Sequence, residues 1–285
     1  MEEPQRRSVL CASPSGLHRL SYLEWGERAN PRVLLCVHGL TRTARDFDFL
    51  ARSLCAEYRV VCPDLPGRGE SEWLKHAAEY VLPLYVSDLV TLIARLDVER
   101  LDWAGTSLGG MVGMALASLP QSPVRRLVLN DVGPVLSAQA LQRIGTYVGK
   151  APPFDTFEAA EQYVRAVSAT FGPHSDEEWR FLTGHVVRPR PEGGWRMHYD
   201  PAIAMAFALD NTGKDLDLWG VYDAIRCPTL VLRGQQSDLL SESTAHAMRE
   251  RGPRARIVEL AGIGHAPTLM HADQITLVRE FLSGG

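Results

Sequence analysis

Short and almost uninterrupted apolar runs recur along this 285-residue chain, and they constrain its fold more than any other feature. The clearest runs are Val33–Val37, Arg59–Cys62, Leu101–Ala104, Leu127–Leu129, Thr229–Leu232 and Ile257–Leu260. A half-exposed strand alternates apolar and polar residues, whereas a strand covered on both faces is apolar throughout. The runs therefore predict strands of a mostly parallel sheet with helices on both faces.

Segments with helical periodicity separate most of these runs. One helical face is marked by apolar residues at the spacing i, i+3, i+4 and i+7, namely Leu89, Leu92, Ile93 and Leu96. The stretch from Leu108 to Leu119 contains no proline and is rich in small residues, which suits a helix packed closely on a sheet. Strands that alternate with helices in this way predict a doubly wound α/β fold.

One long segment interrupts the alternation. No strong strand run occurs between Pro134 and Asp223, and helical patterns are present around 157–171 and 176–187. About ninety residues between two late strands predict a helical cap over the sheet. We therefore expect a core domain formed by residues 1–134 and 223–285, and a helical cap subdomain at 135–222.

Charge and cysteine content restrict the class of protein. The 30 basic and 34 acidic residues leave a net charge of −4, which argues against a dedicated nucleic-acid-binding protein. No apolar run is long enough to span a membrane, and the N-terminus has no apolar signal segment. The five cysteines include no C-x-x-C pair. We expect a cytoplasmic protein with a small-molecule substrate and no membrane partner, and the sequence leaves its oligomeric state open.

The segment Gly105-Thr106-Ser107-Leu108-Gly109 carries the strongest chemical signal. It follows a predicted strand and precedes the glycine-rich helix, which is the setting of a G-x-S-x-G nucleophile elbow. The tight turn requires small neighbours and lifts the hydroxyl of Ser107 above the sheet, at the N-terminus of a helix. Ser107 is the predicted nucleophile.

A serine hydroxyl needs a base, and the base needs an acid that orients it. His265 follows the last predicted strand and is the candidate base. Asp238 follows the strand before it and is the preferred acid, because that strand is nearest in order to the histidine strand. Asp131, directly after Leu127–Leu129 and Asn130, remains the alternative. Two backbone N–H groups are expected to form an oxyanion hole, those of Leu40 and Leu108.

These motifs resemble the α/β-hydrolase superfamily, in its serine esterase-like branch. The motifs that carry the resemblance are His38-Gly39-Leu40, Asp64 to Ser71, Gly105 to Gly110, Cys227 to Gly234 with Asp238, and Gly264-His265. The resemblance extends from about Tyr22 to Leu282. It separates the chain from the epoxide hydrolases and haloalkane dehalogenases of this fold, which place aspartate where Ser107 stands.

The resemblance implies a serine hydrolase that cleaves small carboxylic esters or lactones through an acyl-enzyme, without a metal or organic cofactor. The alternatives are hydrolysis of a C–C bond in a ring-fission diketone, cleavage of an amide as in proline iminopeptidases, perhydrolysis, and a non-catalytic small-ligand receptor. Thr41-Arg42-Thr43 stands where the C–C hydrolases carry Gly-Pro-Gly, which disfavours that reaction. Arg42 and Arg45 either contact an anionic substrate or are ordinary solvated loop charges.

Overall fold

The structure is a computed structural model that describes residues 3–210 and 213–284. The outermost residues of the predicted core domain and positions 211 and 212 of the predicted cap lie outside the described residues. The described strands are β1 Gln5–Ser13, β2 Gly16–Trp25, β3 Val33–Val37, β4 Arg59–Pro63, β5 Leu101–Thr106, β6 Val124–Asn130, β7 Val135–Leu136, β8 Val187–Pro189, β9 Trp195–Met197, β10 Leu216–Asp217, β11 Thr229–Gly234 and β12 Arg256–Leu260. The described α-helices are α1 Asp48–Leu54, α2 Leu82–Leu96, α3 Leu108–Ala117, α4 Ala138–Gly145, α5 Phe157–Val167, α6 Asp176–Gly184, α7 Ile203–Asp210, α8 Trp219–Asp223, α9 Glu242–Met248 and α10 Ala272–Ser283.

Eight of these strands form one sheet in the order β1-β2-β4-β3-β5-β6-β11-β12. Six neighbouring strands of this sheet, β4, β3, β5, β6, β11 and β12, pair in parallel, and β2 pairs antiparallel with β4. All six predicted apolar runs are strands of this sheet, which confirms the mostly parallel α/β fold. The carboxyl ends of β3, β5, β6, β11 and β12 lie at one edge, because parallel strands point the same way.

Helices cover both faces of the sheet. On one face α1 and α10 pack on a core that includes Leu50, Val128 and Val278. On the other face α2 and α3 pack on a second core that includes Leu92 and Val112. Burial on both faces is the physical reason that the central strands are apolar throughout.

The segment between β6 and β11 is only partly helical. It contains α4 to α8, as well as two small antiparallel sheets formed by β7 with β10 and by β8 with β9. The predicted helix around 157–171 is α5 followed by a 3-10 turn at Ala169–Phe171, and the helix predicted at 176–187 ends at Gly184. The boundaries 135–222 remain a prediction of where a cap subdomain begins and ends. None of the described helices is both long and apolar enough to cross a membrane.

Candidate active site

Ser107 occupies a sharp turn between β5 and α3. Its backbone lies at φ 51° and ψ −114°, a conformation that non-glycine residues rarely adopt. A side chain at Gly105 would overlap the backbone of Gly109, and one at Gly109 would overlap the carbonyl of Val37. Both glycines are therefore required by the close approach of helix and sheet around Ser107.

The imidazole of His265 lies between Ser107 and Asp131. His265 Nε2 is 3.0 Å from Ser107 Oγ, and Nδ1 is 2.7 Å from Asp131 Oδ2. An ionised carboxylate only accepts hydrogen bonds, so Nδ1 donates to Asp131 and the unprotonated Nε2 accepts from the Ser107 hydroxyl. Serine, histidine and aspartate are thereby arranged for removal of the Ser107 proton.

Asp131 is fixed by several contacts around its carboxylate. It is the first residue after β6, it is fully buried, and its backbone has a positive φ of 54°. Its Oδ1 accepts the N–H of Gly234 at 2.9 Å, and Oδ2 also accepts the hydroxyl of Ser237 at 2.6 Å. The carboxylate has little freedom to turn away from His265.

The prediction that Asp238 contacts His265 is wrong, because Asp131 makes that contact. Asp238 lies four residues beyond the end of β11, with its side chain 38% exposed, and its carboxylate binds Arg143 through two hydrogen bonds of 2.6 and 3.0 Å. Burial raises the pKa of Asp238, but the hydrogen bonds and charge of Arg143 outweigh it and leave the pKa below its usual value. The loop after β11 carries Asp238 toward α4, whereas Asp131 stays at the end of its strand.

The predicted oxyanion donors lie beside Ser107. Leu40 and Leu108 both line a cavity that Ser107 also lines. A Cβ placed on Gly39 would be 3.7 Å from the Cβ of Ser107, so the loop after β3 passes next to the nucleophile. Within the described part of the chain, no main-chain carbonyl accepts a hydrogen bond from the N–H of Leu40 or Leu108. The assignment of these two groups to the oxyanion hole stays a prediction.

His38, next to this loop, is a structural histidine. It is fully buried, with Nδ1 2.7 Å from the carbonyl of Gly39 and Nε2 accepting the N–H of Leu65 at 2.9 Å. Burial lowers the pKa of His38 to about 3. A neutral imidazole therefore ties the loop after β3 to the loop after β4.

Two cavities meet at Ser107. The first, here termed the apolar chamber, is lined by Leu40, Tyr80, Leu82, Tyr85, Ser107, Leu108, Met111, Leu136, Leu141, Ile144, Ile203, Phe207, Leu216 and Leu239. The second, here termed the arginine chamber, is lined by Gly39, Leu40, Thr41, Arg42, Thr106, Ser107, Arg143, Ile144, Tyr147, Val148, Val164, Val167, Ser168, Phe171, Met197, His265 and Ala266. Leu40, Ser107 and Ile144 line both, so the nucleophile stands at their junction.

The two loop arginines named by sequence reasoning have different surroundings. Arg42 lines the arginine chamber and binds Asp46, whereas Arg45 pairs with Asp48 and lines a different cavity. Sequence reasoning missed Arg143, which reaches the chamber from α4. Its partner Asp238 lies 95 positions away in the sequence, and no local motif records such a pairing.

A cluster of metal-ligand types lies outside this site. Cys11, His18 and Asp88 are buried on the β1–β2 hairpin and α2, with donor atoms within 4.8 Å of one another. His18 Nε2 and Asp88 Oδ2 already share a hydrogen bond of 2.8 Å. The cluster lines neither chamber, and the proton transfers around Ser107 do not involve it.

Comparison with known proteins assigns the chain to a family. Residues 34–276 match the model of the alpha/beta hydrolase family. The chain is 51% identical to the 3-hydroxybutyrate-oligomer hydrolase of Cupriavidus necator over 99% of its own length and 98% of that protein, and 28% identical to an esterase of Mycobacterium tuberculosis over 93% and 85%. A putative hydrolase from Rickettsia typhi superposes with a TM-score of 0.92 at 34% identity, with 99% of each chain covered. These relatives confirm the prediction of an ester hydrolase. The chain belongs to the alpha/beta hydrolase family.

Proposed function

We propose that this enzyme hydrolyses short linear oligomers of 3-hydroxybutyrate, with Ser107, His265 and Asp131 as its catalytic triad. The observation that carries the triad is the continuous line of contacts from Ser107 Oγ through His265 to the buried Asp131 carboxylate. The substrate class is supported by 51% identity over nearly the whole chain to a protein named a 3-hydroxybutyrate-oligomer hydrolase. An oligomer of this kind is a chain of short esters with a hydroxyl at one end and a carboxylate at the other.

Acylation begins when Ser107 Oγ attacks the ester carbonyl carbon and gives its proton to His265 Nε2. Asp131 stabilises the imidazolium that results. The N–H groups of Leu40 and Leu108 hold the negative oxygen of the tetrahedral intermediate. When the intermediate collapses, the ester C–O bond breaks and His265 returns the proton to the departing alcohol oxygen, leaving a 3-hydroxybutyryl ester on Ser107.

Deacylation repeats these steps with water. His265 takes a proton from the water molecule, the hydroxide attacks the acyl carbon, and the second tetrahedral intermediate expels Ser107 Oγ, which recovers its proton. One ester and one water thus give one acid and one alcohol, and the triad returns to its starting state. No redox change occurs in either half-reaction.

The lining of the apolar chamber favours the binding of a short, uncharged acyl group. Leucine, isoleucine, methionine and phenylalanine side chains form most of its wall, and Ser107, Tyr80 and Tyr85 are the lining residues that carry a hydroxyl. A 3-hydroxybutyryl unit offers a methyl group and one hydroxyl to such a wall. Apolar burial with a few polar contacts is the usual character of a small-molecule site.

The direct test uses the linear 3-hydroxybutyrate dimer as substrate. We expect the wild-type enzyme to release two molecules of 3-hydroxybutyrate, measured by chromatography, and Ser107→Ala to release none above background. Ser118→Ala, at the other end of α3, is the matched control and should retain full activity. If p-nitrophenyl butyrate or a butyrolactone is cleaved and the dimer is not, the triad assignment stands and the substrate class is wrong.

We also propose that the enzyme works in the cytoplasm. None of the five cysteines, all of which lie within the described residues, is part of a disulfide bond, and disulfides are rare in that compartment. Fractionation of native cells with an antibody against the protein tests this, and recovery in an extracellular or periplasmic fraction would contradict it.

A further inference from the structure

Charge is divided unevenly between the two chambers that meet at Ser107. Arg42 and Arg143 line the arginine chamber, and among the described residues no aspartate or glutamate lines either chamber. The carboxylates that pair with the two arginines, Asp46 and Asp238, stand outside the wall. Two arginines, and none of the described carboxylates, therefore line the arginine chamber.

In each of the two arginines, a carboxylate binds the same edge of the guanidinium. Asp238 binds Nε and Nη2 of Arg143 at 2.6 and 3.0 Å, and Asp46 binds Nε and Nη2 of Arg42 at 2.7 to 3.1 Å. A guanidinium has five N–H donors, and each carboxylate takes only donors on Nε and Nη2. Tyr147, which also lines the arginine chamber, is a second hydrogen-bond partner of Arg143. The fixed side chains also lose little conformational entropy when an anion binds.

The position of His265 determines which part of a substrate enters the arginine chamber. His265 lines the arginine chamber and does not line the apolar chamber. The departing alcohol oxygen must lie within hydrogen-bond reach of His265 Nε2 to receive its proton. The leaving group therefore occupies the arginine chamber, and the acyl group occupies the apolar chamber.

In a linear 3-hydroxybutyrate oligomer cut at its last ester, the leaving group is 3-hydroxybutyrate itself. One methylene separates its carboxylate carbon from the carbon that bears the departing oxygen. We propose that Arg143, held by Asp238 and assisted by Arg42, binds this free carboxylate; the inference rests on the proposed function. The enzyme then removes single units from the carboxyl end and prefers free acids to oligomers whose carboxyl end is esterified.

The test compares the free-acid dimer with its methyl ester, which has the same scissile bond without the charge. In the paired variant Arg143→Gln/Asp238→Asn, which leaves no unpaired carboxylate, we expect kcat/KM to fall about 10- to 100-fold for the acid, as befits lost hydrogen bonds to a charged group. The methyl ester should change less than about threefold. Arg143→Lys, the smaller change should the paired variant not fold, should show a smaller loss confined to the acid. Arg180→Gln, an exposed arginine on α6, is the matched control and should alter neither substrate.

The outcomes separate the two proposals. If the wild-type enzyme cleaves neither dimer above the rate of Ser107→Ala, the proposed function is wrong and this inference is wrong with it. If both dimers are cleaved and the variants lower the two kcat/KM values equally, or lower neither, the carboxylate is not bound by Arg143 and only the inference is overturned.

Discussion

The Asp131 carboxylate lies 2.7 Å from Nδ1 of His265, although 134 positions separate the two residues. The same carboxylate accepts the N–H of Gly234 and the hydroxyl of Ser237, so the loop after β11 holds the acid that β6 supplies. Asp238, in that same loop, turns outward to Arg143. One loop thus positions the triad through Ser237 and one wall of the arginine chamber through Asp238.

Replacing each aspartate separates these two roles. Asp131→Asn is expected to lower kcat for p-nitrophenyl butyrate about 10⁴-fold, because an amide in that position no longer stabilises the imidazolium or selects the reactive tautomer. Asp238→Asn should change kcat for this uncharged ester by less than about tenfold, since it touches Arg143 and not His265. A larger loss in Asp238→Asn than in Asp131→Asn would contradict the assignment.

The glycines around Ser107 should differ in their tolerance of a methyl group. In Gly109→Ala the new Cβ overlaps the carbonyl of Val37, so we expect the free energy of unfolding to drop by about 2–3 kcal/mol or more. In Gly39→Ala the nearest atoms are at 3.7 Å, an ordinary contact, and stability should change by less than about 1 kcal/mol. Urea unfolding measures both variants, and equal losses would count against the packing described for the elbow.

The wall of the apolar chamber should set the length of the acyl group. Phe207 on α7 lines this chamber, and Phe207→Ala opens space that additional methylenes can fill. Since a buried methylene contributes about 0.8 kcal/mol, the ratio of kcat/KM for p-nitrophenyl hexanoate to that for butyrate should rise about tenfold. Met205→Ala, an exposed residue of the same helix, is the control and should leave the ratio unchanged. A ratio that moves equally in both variants would place the acyl group elsewhere.

Acid should destabilise the enzyme through His38. The unfolded histidine has its ordinary pKa near 6.5, whereas burial lowers the pKa of His38 in the folded protein to about 3. Between these two pH values the unfolded chain binds a proton that the folded protein does not. The contribution of His38 to the free energy of unfolding is therefore fully present above pH 6.5 and is lost as the pH falls toward 3. From pH 7 to pH 4.5 the expected loss from this group is about 2.5 kcal/mol.

Comparison of two histidine variants checks this sign. The difference in the free energy of unfolding between pH 7 and pH 4.5 should shrink in His38→Gln, whose side chain cannot take up a proton in this range. His246→Gln, at an exposed position on α9, should keep the wild-type difference. An unchanged difference in His38→Gln would show that His38 is not a source of the acid sensitivity.

The sequence was sufficient to predict the parallel part of the sheet. Strands such as β3 and β5 are buried on both faces, and a continuous apolar run is the direct consequence of that environment. Strand β1 was missed for the opposite reason. Most of β1 is exposed or partly exposed, so its composition is polar and resembles a loop.

Local sequence pattern could not decide between the two candidate acids of the triad, because it does not determine the path that a loop takes. Both Asp131 and Asp238 follow apolar strands, and chain order favoured the second. What decides between them is the turn at Asp131, with φ 54°, and the partner that Arg143 offers to Asp238 across 95 positions. The arginine chamber escaped prediction similarly, because its walls come from the loop after β3, from α4 and from the loop after β12.

The rate at which a fluorophosphonate ester modifies Ser107 tests the central claim most directly. The reagent reports activation of the hydroxyl without any assumption about the natural substrate, and peptide mass mapping identifies the modified residue. We predict stoichiometric modification of Ser107, slowed at least about a hundredfold in Asp131→Asn and nearly unchanged in Asp238→Asn. Inactivation through modification of another residue, or a greater slowing in Asp238→Asn than in Asp131→Asn, would contradict the assignment of Ser107, His265 and Asp131.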